Sequence, residues 1–479
     1  MAVGLGSSAI GWQSNASGER AQAFGHIANA TGDRSTAVGE NADSAGTGAI
    51  AIGDNAATLS SGTLDSNGAI AIGGDGSEQV EDTLGAQASG TDAIAIGTDA
   101  VATGNSTTSV GGEAIAGDTA ATAFGWRANA AAERSTAVGH LATATGVRAV
   151  AVGEAATAQG TNDTVAIGNT ANAGANSATA VGGQANAAGL GSTSIGWQSS
   201  ATAERAQAFG HLAAASGERS LAVGEAATAQ GANDTVAIGN TANAGANSAT
   251  AVGGRANAAG IGSTSIGWQS AATGERAQAF GHLAIASGVR STAVGENAIA
   301  SGANSLSFGN LSRAAQANTV AIGNGATTTR ANQVAIGTNS NTYTLPGITS
   351  ADSTAAQSGP VRLVTSDANG NLAVSDTDVT AFANIGRSLA AQNNAIQRNA
   401  DAIADNRDGI AMAMALEVPY VAVDRQFAVS GGLGAFDGST AFAMSGAYRV
   451  NSNTQVDAGV TYGFDRQKVG GRIGVTYSW

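Results

Sequence analysis

Residues 196–225 read GWQSSATAERAQAFGHLAAASGERSLAVGE. An apolar residue precedes glycine at Ile195-Gly196, Phe209-Gly210 and Val223-Gly224, so one dipeptide returns every fourteen residues. Followed outward, this marker glycine falls at 11, 25, 39, 53, 73, 97 and 111 and continues to 337, 23 markers in all. Most steps are 14 residues, two are 15 and two are longer. A short, fixed period is the mark of a solenoid. Each unit carries a core such as Val165-Ala166-Ile167-Gly168 and a second stretch such as Ala171-Asn172-Ala173-Gly174. Small residues alternating with β-branched ones, broken by glycine, predict short strands and turns rather than helix. The glycines are expected at positive φ or at close backbone approaches. Each unit therefore reads as one coil with two strands.

Alternation places the small and the large residues on opposite faces. A coil this thin cannot hold both inside. The large face then needs a neighbour, and self-association as a homotrimer is the expected outcome. Stacked at ~4.8 Å per coil, 23 coils make a rod on the order of 110 Å.

A slower rhythm runs over the coils. The residue after the marker is Trp197, His211, Glu225, Asn240 and Gly254 in turn. The same order appears as Trp126, His140, Glu154, Asn169, Gly183, as Trp268, His282, Glu296, Asn310, and early as Trp12, His26, Glu40, Asp54, Gly74. The best-preserved copies lie 71 residues apart, so a five-coil block was duplicated. Repetition argues against catalysis, which needs a unique convergence of groups. No enzyme activity and no cofactor are expected. The histidines read as solvated corner residues rather than metal ligands. The tryptophans either pack on the next coil or touch a ligand, which makes Trp12, Trp126, Trp197 and Trp268 candidate contact corners. Pairs such as Glu204-Arg205, Glu218-Arg219 and Glu275-Arg276 are expected to form salt bridges between coils or chains. The two long steps, 54–72 and 74–96, add about six and ten residues to the period. Insertions in a solenoid form loops, often at a binding face, so Asp75, Glu78, Glu81 and Asp82 are candidate loop contacts.

Composition narrows the classes. The net charge is −14 and the only lysine is Lys468, a poor basis for nucleic-acid binding. No cysteine occurs, which excludes disulfides and thiolate metal sites. No apolar run is long enough for a membrane-spanning helix. The sequence opens inside a repeat, because residues 2–12 align with 187–197, and a missing true start is expected. All three prolines lie after residue 340, where the repeat stops.

The remainder divides into three. Residues 341–381 read as a neck, with two short strands around a turn at Asp367–Gly370. Residues 382–417 hold Leu389, Ile396, Ile403 and Ile410 seven apart, with Ile385, Gln392, Asn399, Asn406 and Ala413 on the companion seam. That is a heptad pattern, and its polar members fix register and oligomer state. Residues 418–479 alternate. Phe442, Met444, Gly446, Tyr448 and Val450 oppose Ala443, Ser445, Ala447 and Arg449, and similar patterns give four strands of bilayer-crossing length. Four strands cannot close a membrane barrel, and an open edge is not tolerated in lipid. Three chains give twelve strands and three helices. The small inward residues suit a lumen filled by helices. The fold expected is mainly β: roll residues 1–340, neck, coiled coil, and a shared barrel.

These features together resemble the trimeric autotransporter adhesins, the family of the YadA-type collagen-binding adhesin. The repeats such as Val320-Ala321-Ile322-Gly323 look like its head repeat, which implies a left-handed parallel β-roll. The stretch from about Ala381 to Trp479 is similar to its stalk end and membrane anchor. The resemblance implies a bacterial outer-membrane location with the head on the cell surface. It also implies membrane lipid as a partner and Trp479 as a signal read by the outer-membrane assembly machinery. Asn399 and Asn406 resemble core layers that hold anions, whereas Gln392 departs from that type. The function implied is adhesion, with a matrix protein, a glycan or another cell as ligand. The competing reading is a passive surface spacer or protective layer.

Overall fold

The structure is a computed structural model, described for residues 1–59, 65–75 and 84–479. The chain forms two compact units, Met1–Thr342 and Tyr343–Trp479.

In the first unit, the described residues form 23 three-residue strands and 21 two-residue strands, in two parallel ladders. Each strand pairs with its counterpart one coil later, as in Thr122↔Thr136, Ala123↔Ala137 and Phe124↔Val138. Longer steps keep the register. Val150 pairs with Val165, Ile50 with Ile70, and Ile70 with Ile94. The ladder holds its register across these steps, because slipping it by one would turn every buried alanine outward.

The interior is built almost wholly of alanine. Ala201, Ala206, Ala208, Ala213 and Ala215 are buried in successive columns, and serine or threonine takes an occasional place. The hydroxyls of Ser194 and Ser199 hydrogen-bond to each other inside at 2.7 Å. The large residues of the same strands face out. Phe124 is 54% exposed and Ile195 40%. The alternation thus sorts small inside and large outside, as the coil's thinness requires.

Marker glycines are fixed by two constraints at once. At Gly196 φ is +137°, and a Cβ would lie 2.4 Å from the Gly210 carbonyl oxygen of the next coil. The turns also hold positive φ at residues the sequence does not flag. Leu212 sits at φ 58° and Arg205 at 54°. The left-handed conformation costs an L-residue ~1–2 kcal/mol. Ladder hydrogen bonds offset it here: Leu212 N–H donates to the Trp197 carbonyl at 3.0 Å, and Arg205 N–H to that of Leu190 at 2.8 Å.

The second unit opens with a short 3-10 turn (Pro346–Thr349) and a five-residue helix (Ala351–Ala355), neither expected from sequence. Ser350 caps that helix by accepting from Ser353 N–H at 3.1 Å. A hairpin follows, Arg362–Ser366 with Leu372–Asp378. Its turn is organised by the Asp367 carboxylate, which accepts from the N–H groups of Asn369 and Asn371 at 2.9 and 2.8 Å. Asp378 then caps the long helix Val379–Ala415 by accepting from Thr380 N–H and Ala381 N–H. The Thr380 hydroxyl, helped by those backbone groups, holds its carboxyl below the usual range. At ~1.5 Å per residue, the 37 residues span about 55 Å. No described helix is long and apolar enough to cross a membrane.

The chain ends in a four-stranded antiparallel meander: Phe427–Phe436, Ser439–Asn451, Thr454–Gly463 and Val469–Tyr477. Cross-strand pairs include Leu433↔Phe442, Phe442↔Tyr462 and Val456↔Val475. On one face Ala441, Ala443, Ala447, Asp457 and Thr461 are buried. On the other, Val429, Met444, Val460, Ile473 and Tyr477 are exposed.

Candidate functional site

One corner of the solenoid carries the five-coil rhythm as a contact ladder. Each tryptophan packs against the histidine of the next coil, stacked in three pairs and tilted by 32° in Trp268–His282. Trp12–His26, Trp126–His140 and Trp197–His211 have ring centroids 4.9 Å apart, and Trp268–His282 5.0 Å. Histidine Nδ1 then approaches the glutamate one coil further, at 2.9 Å for His26–Glu40 and 3.2 Å for His282–Glu296. Asn169 and Asn240 extend the ladder by donating to Glu154 and Glu225, both at 2.9 Å. Inter-coil packing and exposure therefore coexist: each indole has one face on histidine, yet Trp126, Trp197 and Trp268 remain 45%, 49% and 49% exposed. Among the described residues, no group of three or more His, Asp or Glu is placed to hold a metal ion.

The charged pairs sort differently from the sequence pattern. The neighbours Glu204/Arg205 and Glu275/Arg276 are loose, at 3.9 and 4.0 Å. Glu218/Arg219 is tight, at 2.5 Å, and Arg127 meets Glu113 across a 14-residue step at 3.0 Å. The bidentate pairs cross coils at the two 15-residue steps. Arg148 grips Asp163 with two hydrogen bonds of 2.6 and 2.9 Å, and Arg219 grips Asp234 at 2.8 and 3.1 Å. Each arginine holds its aspartate below the usual carboxylate range. A polar ladder also runs Asn15–Asn29–Asp43, at 3.0 and 3.2 Å. Burial pushes the Asp43 carboxyl up, and the Asn29 hydrogen bond only partly opposes this.

The two insertions leave from opposite turns. The first follows the two-residue strand Ala57–Thr58, the second the marker Gly73 on the tryptophan side. Asp75 N–H donates to the Asp54 carbonyl at 3.1 Å, which ties the start of the second loop to the preceding coil. Glu78, Glu81 and Asp82 lie outside the described residues.

In the second unit the long helix has two distinct faces. Asp408, Ala411, Met412 and Ala415 are buried against the sheet. The heptad residues occupy the other side: Leu389, Ile396, Ile403 and Ile410 are 59%, 60%, 52% and 41% exposed, with Asn399 and Asn406 exposed beside them. The sheet admits the helix through missing side chains. A Cβ on Gly434 would meet the Ala411 carbonyl oxygen at 2.1 Å, and one on Gly432 that of Ala415 at 2.2 Å. Charges join helix to strand turns: Arg407 to Asp437 at 2.8 Å, Arg466 to Asp401 at 3.0 Å, and Lys468 to Asp405 at 2.5 Å. The buried Asp408 accepts from Arg466 N–H at 2.9 Å. None of these contact residues stands out in the sequence, because the heptad masks a second stripe made of small and charged residues. Trp479 is fully exposed beside Tyr477, with ring centroids 6.4 Å apart.

Known families match both units. The YadA head domain repeat matches ten segments between residues 2 and 340, more than half of the chain, and the YadA-like membrane anchor domain matches residues 419–479. The chain belongs to the YadA-like trimeric autotransporter adhesins. Members of this adhesin family are non-enzymatic homotrimers. The anchor places the protein in the outer membrane, with the head repeats exposed at the surface. The crystal structure of the collagen-binding domain of the Yersinia adhesin YadA is similar at 22% identity. That match covers 45% of this adhesin and 72% of the YadA chain, with a TM-score of 0.13. No curated protein matches the chain.

Proposed function

We propose that three copies of this chain form a surface adhesin that attaches the cell to extracellular matrix, to other cells or to glycan-bearing surfaces. The observation that carries this is the two-sided helix. Its small, buried stripe rests on its own chain's sheet, and its heptad seam is left without a partner. Three seams meeting on an axis cover the isoleucines, while three sheets joined edge to edge give twelve strands around three helices. Glycines, alanines and serines line the space between. The exposed Val, Ile and aromatic face of each sheet then meets lipid. In this assembly Asn399 and Asn406 form polar layers on the axis, fitted to hold anions. Trp479, at the last strand's end, is the group offered to the assembly machinery.

Outside the membrane the head is a rigid, multivalent pillar. Repeated weak contacts on three chains add up by avidity. Its contact candidates are the corners at Trp12, Trp126, Trp197 and Trp268 and the inserted residues Asp75, Glu78, Glu81 and Asp82. Collagen, the ligand of the similar Yersinia YadA domain, is the first matrix ligand to test. Cells displaying the protein are expected to attach to collagen-coated or other matrix-coated wells more strongly than cells displaying the anchor without residues 1–340. Equal attachment, with display verified, would favour the passive spacer.

A further inference from the structure

The corner ladder breaks at one place in each block. Between Asn169 and Trp197 the corner residue is Gly183; between Asn240 and Trp268 it is Gly254; between Thr98 and Trp126 it is Gly112. The indole lies directly over the glycine: a Cβ would stand 3.1 Å from Cδ1 of Trp197 or Trp268, and 3.2 Å from that of Trp126. One side of the indole packs on histidine, stacked at Trp126 and Trp197 and tilted by 32° at Trp268. The other looks across a coil that has no side chain at the corner. The bounding side chains are two coils apart, ~9.6 Å at ~4.8 Å per strand. Spacing of that order accommodates one stacked ring.

In the block that holds Trp126 a planar group already lies over the indole. There Arg127 reaches back to Glu113 on the glycine coil, at 3.0 Å, with its guanidinium 5.0 Å from the Trp126 ring centroid. This is a cation–π contact that fills the slot from within. The later blocks have Gln198 and Gln269 in place of that arginine. Gln198 donates to Gln184 at 2.7 Å and forms a polar side wall. The far walls are the exposed amides of Asn169 and Asn240, held by Glu154 and Glu225.

We propose that the slots at Gly183 and Gly254 are carbohydrate-stacking sites, each taking one neutral pyranose ring of a glycan. This rests on the adhesin reading and names a ligand class for it. An indole face carries negative charge density and attracts the weakly positive C–H face of a sugar. The amides around Gly183 suit its hydroxyl rim; around Gly254 the edge is formed by Gln269, Asn240 and Arg255, whose N–H groups can donate to ring hydroxyls. The glutamates behind the far wall, on a chain of net charge −14, disfavour sulfated or sialylated sugars at Gly183, which is flanked by Gln184 and Gln198. The slots recur every five coils, ~24 Å apart, so one polysaccharide can engage several at once.

The test uses the full-length protein displayed on cells or extracted in detergent, with immobilised neutral hexasaccharides of β-1,4-glucose, β-1,4-N-acetylglucosamine and α-1,4-glucose. A heparin-derived hexasaccharide is the anionic counterpart. At least one neutral probe is expected to bind and to change tryptophan fluorescence, with the heparin fragment weaker. Trp197→Ala with Trp268→Ala should lower binding on the order of tenfold. Filling the slots in the manner of Glu113 and Arg127, by Gln184→Glu, Gln198→Arg, Arg255→Glu and Gln269→Arg, should do the same while keeping every tryptophan. Arg127→Gln should open the third slot and raise binding. The proposal is overturned if no neutral hexasaccharide binds, if the heparin fragment binds best, or if neither slot-filling nor tryptophan removal changes binding. Matrix attachment measured on the same cells separates the two readings. Attachment without glycan binding sinks the slots alone, and loss of both on displayed wild-type protein sinks the adhesin reading as well.

Discussion

In the head Ala208 is buried and its neighbour Phe209 points outward; in the anchor Ala443 is buried and Phe442 points outward. Both regions hide their small residues and show their large ones. They differ in the backbone. Every inner coil of the head has hydrogen-bonded neighbours from its own chain before and after it. The anchor sheet stops at its first and fourth strands, each paired on one side only. A single head therefore lacks partners for side chains alone, whereas a single anchor lacks them for side chains and for two rows of peptide groups. In lipid the second shortage is the severe one, because no water satisfies an open edge. The anchor is where assembly is obligatory.

The sharpest way to break this comparison is to push the helix off the sheet. Gly434→Leu drives a side chain into the Ala411 carbonyl. We expect heat-sensitive trimers and surface display to fall by on the order of tenfold or more, read by gel mobility before and after boiling and by surface immunostaining. Deleting Trp479 should lower display by a smaller, several-fold margin; unchanged display would remove its assembly role. In the head, Gly196→Ala imposes strain of ~2–3 kcal/mol on one coil. Limited proteolysis should then cut near residue 196 while display stays at the wild-type level. If display collapses too, the two regions are more coupled than the contrast allows. Replacing Asn399 and Asn406 with isoleucine should raise the trimer's heat resistance, since polar seam residues cost stability.

The smallest effects are those of pH on the head. The Asp163 and Asp234 carboxyls are depressed by Arg148 and Arg219. Their contribution is present above the unfolded carboxyl value, near pH 4, and is lost as pH falls through the folded one. Asp43 has the opposite sign. Its carboxyl is raised by burial, so its contribution is full in acid and is lost as pH rises through the folded value. Asp43→Asn should therefore stabilise the head slightly at pH 7 and leave it unchanged at pH 3, as followed by thermal melts monitored by circular dichroism.

Much of this was legible in the residues themselves. The marker glycines announced the coils because a positive φ and a 2.4 Å approach leave glycine no substitute. Ile403 and Ile410 announced a helix seam, and Phe442 against Ala443 announced a two-faced strand. Other features were hidden for physical reasons. Leu212 and Arg205 adopt left-handed backbone held by ladder bonds, which no local propensity encodes. The helix's sheet-facing stripe is made of Ala411 and Ala415, which carry little hydrophobic signal. At the corner, Trp197, His211 and Glu225 were visible as a rhythm. Their stacking, and the slot opened by Gly183, appear only when coils are placed one above another.

The mass of the intact protein released gently from membranes into detergent tests the account most directly. Native mass spectrometry should find three 46.2-kDa chains in one particle that retains β-structure. A folded particle containing a single chain, with its four strands protected from hydrogen exchange, would contradict it.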